Sequence, residues 1–408
     1  MNIIPRAFVP VLLAQALVCQ AGWSVPAAEP NLNSTAADSG VNLSYDGLTL
    51  YFSSFRSGNW EIWSSTRSGP GGAWSSPVQE TGLGGPDTED QPCIDVTGLE
   101  MLFSSTRAGS AGSSDLWRST RATPSSPWNT PVPVSELNSS VADSAPSLTA
   151  DGLEIFFYST GWGNPSGNNN SLFTATRAST ALPFGTPQLV VEFSNSNTHR
   201  DCDIAADGLS IVFTEFVSPR LKVLYSERLS RTSPWAPPVV WTEFDTVGAS
   251  LGVYSFTRSA AGNEALLAAG FPTSAGGQEI LSTAFTGLTH AGAAGFGSVM
   301  TIYYRDPLNA GQPFALGAAL GNTGFALGAR IVPLDPDWLL LGTFGTSVPG
   351  YTSGWGGVLG AGGEATASLT NLSPAFVGLS FWVGGLTWDN SQPFGVGTIA
   401  NAFQVQFQ

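Results

Sequence analysis

The feature that most constrains this 408-residue chain is a unit of strands and turns that recurs every 51 to 56 residues. In its first copy, residues 43–67 (LSYDGLTLYFSSFRSGNWEIWSSTR), an Asp-Gly turn precedes a run in which apolar and polar residues alternate. That period of two is typical of a β-strand with two different faces. One hairpin cannot bury its apolar face in water, so the copies must cover one another.

Five copies, which we number units one to five, can be aligned on the glycines of their turns. The turn glycines are Gly47, Gly98, Gly152, Gly208 and Gly262. The strands that follow them read LTLYFSS, LEMLFSS, LEIFFYS, LSIVFTE and NEALLAA. An aromatic residue followed by proline closes units one to four, at Trp74 and Pro77, Trp128 and Pro131, Phe184 and Pro187, and Trp235 and Pro238. Repeats of this period with several strands each predict a β-propeller.

The predicted fold is all-β, with a five-bladed β-propeller over residues 31–304 followed by an antiparallel β-sandwich over residues 306–408. Each blade is expected to have four strands, and the fourth strand of unit five is placed at Val299 to Tyr304. No strand precedes unit one once a leader is removed. Units one and five are therefore expected to meet face to face, without a borrowed strand closing the ring. The C-terminal region has short alternating strands and no helix signal, which favours a sandwich.

Residues 1–28 are expected to be a secretory signal peptide. Arg6 precedes an apolar run from Ala7 to Cys19, which is too short for a bilayer span, and small residues near Ala21 and Ala27 suit cleavage. A buried N-terminal helix and a lipoprotein site at Cys19 are the alternatives. No other apolar stretch reaches bilayer length. We therefore expect a protein that is secreted, periplasmic or at the cell surface, without a transmembrane segment.

Charge and cysteine content narrow the classes of partner. The formal net charge is −15 and Lys222 is the single lysine, so no basic patch favours a nucleic-acid partner. Cleavage of the leader would leave Cys93 and Cys202, which fall in units two and four. A disulfide needs Cα atoms within about 7 Å, so two buried thiols are predicted instead. The protein is expected to be a monomer.

The repeated unit resembles the TolB-type, WD-like propeller repeat of exported bacterial proteins. The segments that carry the resemblance are DSAPSLTADGLEIFF, SYDGLTLYFSSFRSG and GSSDLWRSTR, which share an Asp-Gly turn, an aromatic-ended strand and an acidic-apolar-Trp strand. The match covers residues 38–240 well and residues 245–304 poorly. The C-terminal part resembles a small β-domain at the end of secreted planctomycete-type and myxobacterial proteins, through VPLDPDWLLLG and GEATASLTNLSPAFVGLSFWVGGLTWD. The resemblance implies a fold, and a fold does not fix a function.

The best candidate for a ligand-binding site is a ring of polar residues at the mouth of the central channel. Alignment of the units puts Asp38, Glu89, Asp143 and His199 at one repeat position, with Asp90, Arg200, Asp201 and Asp203 beside them. Two carboxylates could act as acid and base on a glycosidic bond, or could hold Ca²⁺ through oxygen ligands. The structural alternative is that Asp38, Glu89 and Asp143 accept backbone N–H bonds from the loops between units.

Other repeated polar residues are interpreted as structural. Arg67, Arg121 and Arg177 follow the third strand at a constant offset and are expected to bond acidic neighbours or loop carbonyls between units. No nucleophile motif, zinc motif, phosphate-binding loop or dinucleotide fingerprint is present in the sequence.

The sequence favours a secreted, non-enzymatic binding or scaffold protein whose propeller binds an extracellular or envelope protein or a polysaccharide. One alternative is a glycan-processing enzyme that works through Asp38, Asp143 and either Glu89 or Asp201. Another is a cell-surface structural or adhesion protein in which the C-terminal domain is the anchor. No catalytic residue, cofactor or bound metal is predicted, with Ca²⁺ left open.

Overall fold

The structure is a computed structural model, and its strands dominate the described part of the chain. It describes residues 22–164, 170–195, 197–228, 230–245, 247, 251–260, 264–271, 277–291, 299–305, 311–320, 325–327, 330–332, 334, 345, 352–360, 364–370, 380–388, 396–399 and 403–406. The predicted signal peptide lies outside this part up to residue 21, as does the turn glycine of unit five, Gly262. The helical elements in it are two short 3-10 helices, Val191–Phe193 and Thr242–Phe244.

Units one to three each form a separate antiparallel sheet of four strands in chain order, after two N-terminal strands, β1 (Gly22–Trp23) and β2 (Ala27–Ala28). Unit four has the same antiparallel strand order, but a parallel pairing of Leu221 with Gly252 joins its sheet to unit five. Unit one holds β3 (Asp38–Leu43), β4 (Thr49–Ser54), β5 (Glu61–Thr66) and β6 (Val78–Gln79). Unit two holds β7 (Glu89–Ile94), β8 (Glu100–Ser105), β9 (Asp115–Thr120) and β10 (Val132–Pro133). Unit three holds β11 (Asp143–Leu148), β12 (Glu154–Ser159), β13 (Ser171–Thr176) and β14 (Gln188–Leu189). Unit four holds β15 (His199–Ile204), β16 (Ser210–Val217), β17 (Arg220–Glu227) and β18 (Val239–Val240).

Unit five is completed by the N-terminus of the chain. It holds β19 (Gly252–Arg258), β20 (Glu264–Gly270) and the long strand β21 (Gln278–Ala291). The outer edge of β21 pairs with β1 and β2, so residues 22–28 form the fourth strand of unit five. The expectation that no borrowed strand closes the ring is therefore wrong. It failed because the sequence pattern assigned these residues wholly to the leader.

The five units stack side by side around a centre. Their first strands contact one another in chain order, and β19 of unit five contacts β3 of unit one. Backbone N–H groups of Val41 and Leu43 donate across this last junction to the hydroxyls of Ser255 and Thr257, at 3.3 and 3.1 Å. This closed order is the arrangement of a β-propeller.

Each junction between neighbouring units holds a buried apolar cluster, among the residues that the structure describes. Between units one and five, for example, Leu50, Phe52 and Trp74 pack with Leu266 and Ile280. Full burial of one such side chain stabilises the fold by about 1.5–3 kcal/mol. The apolar faces that a single hairpin could not bury are therefore covered by the adjacent unit.

An arginine at the end of each third strand ties neighbouring units together. In units one to four its Nε donates to the carbonyl of the turn glycine, at 2.6–2.8 Å. Its guanidinium lies 4.1–4.5 Å from the ring of the closing aromatic residue. The four arginines are Arg67, Arg121, Arg177 and Arg228. Arg67 also bonds Glu264 of unit five, and Arg228 bonds Glu154 of unit three. The expected bond to an acidic neighbour between units is confirmed for Arg67. Arg121 bonds the hydroxyl of Tyr51 instead, and Arg177 lies 3.9 Å from Glu100 without a hydrogen bond to it.

Beyond unit five, the described residues extend the sheet of that unit and form one further sheet and a hairpin. The strands are β22 (Val299–Arg305), β23 (Pro313–Ala319), β24 (Phe325–Leu327), β25 (Arg330–Val332), β26 (Thr352–Ser353), β27 (Gly356–Val358), β28 (Glu364–Thr370), β29 (Ser380–Trp388), β30 (Val396–Ile399) and β31 (Phe403–Gln406). The far half of β21 continues into a sheet with β22, β28 and β26, and β23 and β29 form the centre of another. Side chains from both sheets share one buried cluster, with Ile302 and Leu316 among its members.

The assignment of Val299 to Tyr304 as the fourth strand of unit five is confirmed only in part. The strand pairs with β21, but along Gly287–Ala291, beyond the stretch of β21 that pairs with β20. These residues lie in β22, which pairs with β28 over seven positions from Val299 to Arg305. Their buried side chains, Met300, Ile302 and Tyr304, belong to the C-terminal cluster. The alternating pattern correctly predicted a strand. Alternation alone, however, does not specify which neighbouring strands it pairs with.

Two further findings bear on the sequence predictions. Cys93 and Cys202 are both buried and free, as predicted. No helix within the described residues has the length and apolar character needed to cross a membrane.

Candidate functional site

The four residues predicted to form a ring begin the first strands of their units. Asp38, Glu89, Asp143 and His199 are the first residues of β3, β7, β11 and β15, and each is 0% exposed. We call the end of the ring where first strands begin and second strands end the mouth face. A buried charge is costly unless it is paired and hydrogen-bonded. The partners of these residues therefore decide what they can do.

Asp38 and Glu89 are engaged within their own units. Asp38 accepts hydrogen bonds from the backbone N–H of Ser34 at 2.7 Å and from Nη2 of Arg56 at 2.7 Å. Glu89 accepts from the hydroxyl of Ser105 at 3.0 Å and from Nη2 of Arg107 at 2.9 Å. In both units the same arginine also donates to a loop carbonyl, that of Leu32 or Leu83. These carboxylates and their arginines therefore hold the loop that enters the unit. That is the structural role considered in the sequence analysis as the alternative to ligand binding.

Asp143 lacks the arginine that its counterparts have. Gly161 stands two residues after the end of the second strand, the place of Arg56 and Arg107. A Cβ there would lie 2.2 Å from the hydroxyl of Ser139. That hydroxyl donates to Asp143 at 2.8 Å. Burial raises the pKa of Asp143, and the nearby Asp115 carboxylate acts in the same direction.

In unit four the residue types are exchanged, with a histidine at the start of the first strand and a glutamate opposite it on the second strand. Nε2 of His199 lies 3.3 Å from Oε2 of Glu215, which occupies the position of Ser105 in unit two. Nδ1 of His199 is 2.9 Å from the carbonyl of Asn170, and the histidine ring stacks on Tyr158 with centroids 5.5 Å apart. Although burial opposes it, hydrogen bonds from His199 and from Asn197 lower the pKa of Glu215. The histidine is held in a buried pair and does not face the channel alone.

Gln91 connects three units across the centre of the ring. It lies at the bulge of its first strand with φ +52°, an uncommon value for a residue with a side chain. Its Nε2 donates to the carbonyl of Arg200 in unit four at 3.0 Å, and its Oε1 accepts from the N–H of Ala145 in unit three at 3.1 Å. Since units two and four are not neighbours, this side chain spans the channel. Sequence reasoning missed it, because glutamine carries no repeat signal here.

Asp90 and Asp201 lie near this bridge. Oδ1 of Asp90 accepts from the N–H of Gln91 at 2.8 Å, and burial raises the pKa of Asp90. Oδ2 of Asp201 accepts from the N–H of Phe256 in unit five at 3.1 Å. Burial raises the pKa of Asp201 well above its ordinary value, and the charges of Asp203 and Asp90 add to that effect.

Asp203 serves the junction between units four and five. Its Oδ2 accepts from Nε of Arg258 at 2.7 Å. Burial raises its pKa, with Arg258 opposing the shift. The structure thus brings together Asp90, Arg200 and Asp201 around Gln91. The four ring residues instead contact partners beside their own strands. Asp203 contacts Arg258 of unit five.

A pair of carboxyl groups that sequence reasoning also missed joins units one and two. Glu61 opens the third strand of unit one, and the backbone N–H of Glu89 donates to the carbonyl of the preceding Trp60 at 3.0 Å. Glu61 is 6% exposed. Burial and the adjacent carboxylate of Glu89 raise its pKa to about 7. The signal was the spacing: Glu61 and Glu89, like Asp115 and Asp143, begin strands that meet at a junction.

The described residues contain no group of three or more His, Cys, Asp or Glu side chains placed to hold a metal ion. Calcium binding therefore stays a prediction without an assigned set of ligands.

Comparisons with known proteins add little to this geometry. No family model matches the chain, and no curated protein matches its sequence significantly. Solved structures that resemble it include TolB from Acinetobacter baumannii, with 17% identity over 63% of this chain and 56% of that protein and a TM-score of 0.37. They also include an exo-β-1,3-galactanase from Phanerochaete chrysosporium, with 12% identity, 93% and 98% coverage and a TM-score of 0.42. The β-propeller domain of the Trilobed protease from Pyrococcus furiosus has 8% identity, 60% and 67% coverage and a TM-score of 0.30. At these TM-scores no functional argument follows, and the propeller arrangement rests on strand pairing and contacts.

Proposed function

We propose that the protein is an extracytoplasmic, non-enzymatic binding protein that binds a protein or glycan ligand on its mouth face. Its scaffold would be a five-bladed propeller followed by a β-sandwich. The closed order of first strands supports the blade count, and the cluster shared by the two C-terminal sheets supports the sandwich. Of the two predicted cleavage positions, the one after Ala21 suits this scaffold, because cleavage after Ala27 would remove β1.

The observation that carries the proposal is the engagement of the mouth-face carboxylates. A glycosidase needs one carboxyl to donate a proton and another to act as base or nucleophile on a bound sugar. Asp38 and Glu89 instead accept bonds from partly buried arginines. Asp203, near the other end of its strand, pairs with Arg258. Asp201 accepts an N–H bond from the neighbouring unit. Groups used in this way support a rigid scaffold and leave little acid–base capacity.

Exposed aromatic side chains supply the surface that a binding protein needs. Phe55 and Phe216 each follow the residue that pairs with the start of the first strand, Ser54 in unit one and Glu215 in unit four, so they occupy equivalent places on the mouth face. They are 42% and 44% exposed. Phe55 also contacts Trp60, with ring centroids 5.8 Å apart. Aromatic residues of this kind are enriched where proteins bind partners.

The test is a titration of the secreted protein against purified envelope proteins and defined extracellular polysaccharides. Replacement of both aromatic residues (F55S and F216S) should weaken binding at least about tenfold, which is roughly the 1–2 kcal/mol that interface side chains contribute. The matched control is Val96→Ser, since Val96 is 42% exposed but lies in a turn at the opposite end of the ring. Equal binding by the double variant and the control would refute the mouth face as the site. Turnover of a polysaccharide would favour the glycosidase alternative instead.

A further inference from the structure

A cavity of about 240 Å³ lies between units two and three, away from the mouth face. Its charged lining consists of Glu100, Arg118, Glu136 and Arg177. Its apolar lining includes Leu102, Val134, Leu182 and Phe184. The volume is below the roughly 300–1,000 Å³ of pockets that take drug-sized ligands, so it suits a smaller molecule.

Arg177 is the unusual member of the repeated arginines. At two other junctions the equivalent side chain bonds a glutamate directly, Arg67 with Glu264 at 2.7 Å and Arg228 with Glu154. Arg121 donates to the hydroxyl of Tyr51 at 2.8 Å. Between units two and three the equivalent nitrogen lies 3.9 Å from Glu100, which is beyond hydrogen-bond distance. The junction that holds the cavity is therefore the one where the repeated bond between units is not made.

The guanidinium of Arg177 is nevertheless fixed in place. Its side chain is 3% exposed, its Nε donates to the carbonyl of Gly152 at 2.6 Å, and it lies 4.4 Å from the ring of Phe184. Its terminal Nη atoms make no hydrogen bond to any residue that the structure describes. Oε1 of Glu100 is also buried without a hydrogen-bond partner in the described chain. Such groups, held rigidly against a cavity, are poised to bond a ligand.

The charges of the lining point to a ligand that carries both signs. Two arginines and two glutamates give no net charge, and Arg118, like Arg177, has Nη atoms without a bonded partner in the described residues. A carboxylate suits a guanidinium, which can bond it through two N–H groups. An ammonium group suits Glu100 and Glu136, and the apolar side chains suit a hydrocarbon portion. We infer that this cavity binds a small zwitterion with an apolar side chain, of the class of apolar α-amino acids.

The probe for this site is L-leucine, titrated calorimetrically into the full-length secreted protein. We expect saturable binding and a matching rise in the melting temperature. L-Leucinamide, which lacks the carboxylate, and N-acetyl-L-leucine, which lacks the ammonium group, should each bind at least about tenfold more weakly, as expected when a charge-assisted hydrogen bond is lost. Absence of saturable binding, or equal binding of either analogue, would overturn the inference.

The variants leave the buried Arg177 in place, so that loss of folding does not confuse the result. Arg118→Gln and Glu136→Gln should each reduce leucine affinity at least about tenfold without lowering the melting temperature of the free protein appreciably. The matched control is Arg231→Gln, because Arg231 pairs with Asp151 at the neighbouring junction and does not line the cavity. Unchanged affinity in both cavity variants would also overturn the site.

Discussion

At the scale of single residues, this protein joins its units through repeated arginines, of which Arg228 has partners for all three of its guanidinium nitrogens. Arg228 donates to the carbonyls of Gly208 and Arg231, pairs with Glu154, and stacks on Trp235. Both members of the ion pair have side chains that are 5% exposed. A pair buried to that degree is costly to break, because the remaining charge keeps no partner.

Replacement of Arg228 by lysine should therefore destabilise the protein. A lysine cannot bond the glycine carbonyl and the glutamate together, and we expect the free energy of unfolding to fall by about 3 kcal/mol. Arg121→Lys is the matched control, because the partner of Arg121 between units is the neutral hydroxyl of Tyr51. Its loss should be about 1 kcal/mol. Chemical denaturation measures both, and equal losses would contradict the importance of the buried ion pair.

The Glu61 and Glu89 pair gives the fold a pH dependence of known sign. Burial and the charge of Glu89 raise the pKa of Glu61 from 4.5 to about 7. The folded state therefore keeps a proton that the unfolded state releases. The resulting stabilisation is fully present below pH 4.5 and is lost as the pH rises through about 7.

Glu61→Gln should remove this dependence, because the amide can donate to Glu89 at any pH. Between pH 5 and pH 8 the wild type should lose on the order of 2 kcal/mol more unfolding free energy than the variant. Urea denaturation at several pH values measures the difference, with the exposed Glu243→Gln as control. Parallel pH profiles for wild type and Glu61→Gln would show that the two carboxyl groups do not share a proton.

At the scale of elements, the N-terminal strands are held by one aromatic anchor. Trp23 lies among Trp241, Phe244, Phe256 and Phe285, with ring centroids 5.5–6.0 Å apart. A short strand with few backbone bonds depends on such packing for its place at the edge of a sheet. Trp23 therefore links closure of unit five to the core between units four and five.

Trp23→Ala should release this strand and weaken the ring. Because Trp23 is half-buried, we expect a loss of about 2–3 kcal/mol, below the 3–5 kcal/mol typical of fully buried aromatic residues. Val25→Ala is the control, since Val25 lies in the same segment but is 89% exposed. Thermal unfolding would measure both. Hydrogen exchange along Gln278–Ala291 should rise in the first variant and stay unchanged in the second.

At the scale of the whole molecule, the long strand β21 is shared between the propeller and the C-terminal region. Its first part pairs with β20 up to Ala284 and with β1 up to Thr286, and its far part pairs with β22. The two regions therefore meet within one continuous strand. A boundary placed near residue 305 would cut β22 away from β28.

A chain that ends at Thr286 should consequently be more soluble and fold more cooperatively than one that ends at Arg305. The longer chain keeps Met300, Ile302 and Tyr304 but loses the cluster that buries them. We expect it to aggregate or to bind a hydrophobic dye, whereas the shorter chain should stay monomeric and fold cooperatively. Size-exclusion chromatography and calorimetry compare the two. A well-behaved longer chain would indicate that β22 can be covered by the propeller itself.

The local part of this fold could be predicted from the amino-acid sequence alone. Period-two alternation, Asp-Gly turns and the closing aromatic residue specify strands and turns within about 25 residues of one another. The same repeat spacing correctly indicated stacked units and the arginines between them. It also placed Asp38, Glu89, Asp143 and His199 at one position, although it could not show that each faces a partner beside its own strand.

The contacts between segments that are far apart in the chain became known only from the three-dimensional structure. Closure of unit five pairs residues that are separated by more than 250 positions, such as Ala28 and Leu281. The Gln91 bridge joins residues 109 positions apart, and the cavity is lined by Arg177 and Glu100, which lie 3.9 Å apart on different units. Strand pairing between distant segments and differences of about an ångström in packing depend on all neighbouring residues together. The residue pattern along one strand does not specify these neighbouring residues, so it cannot predict the contacts.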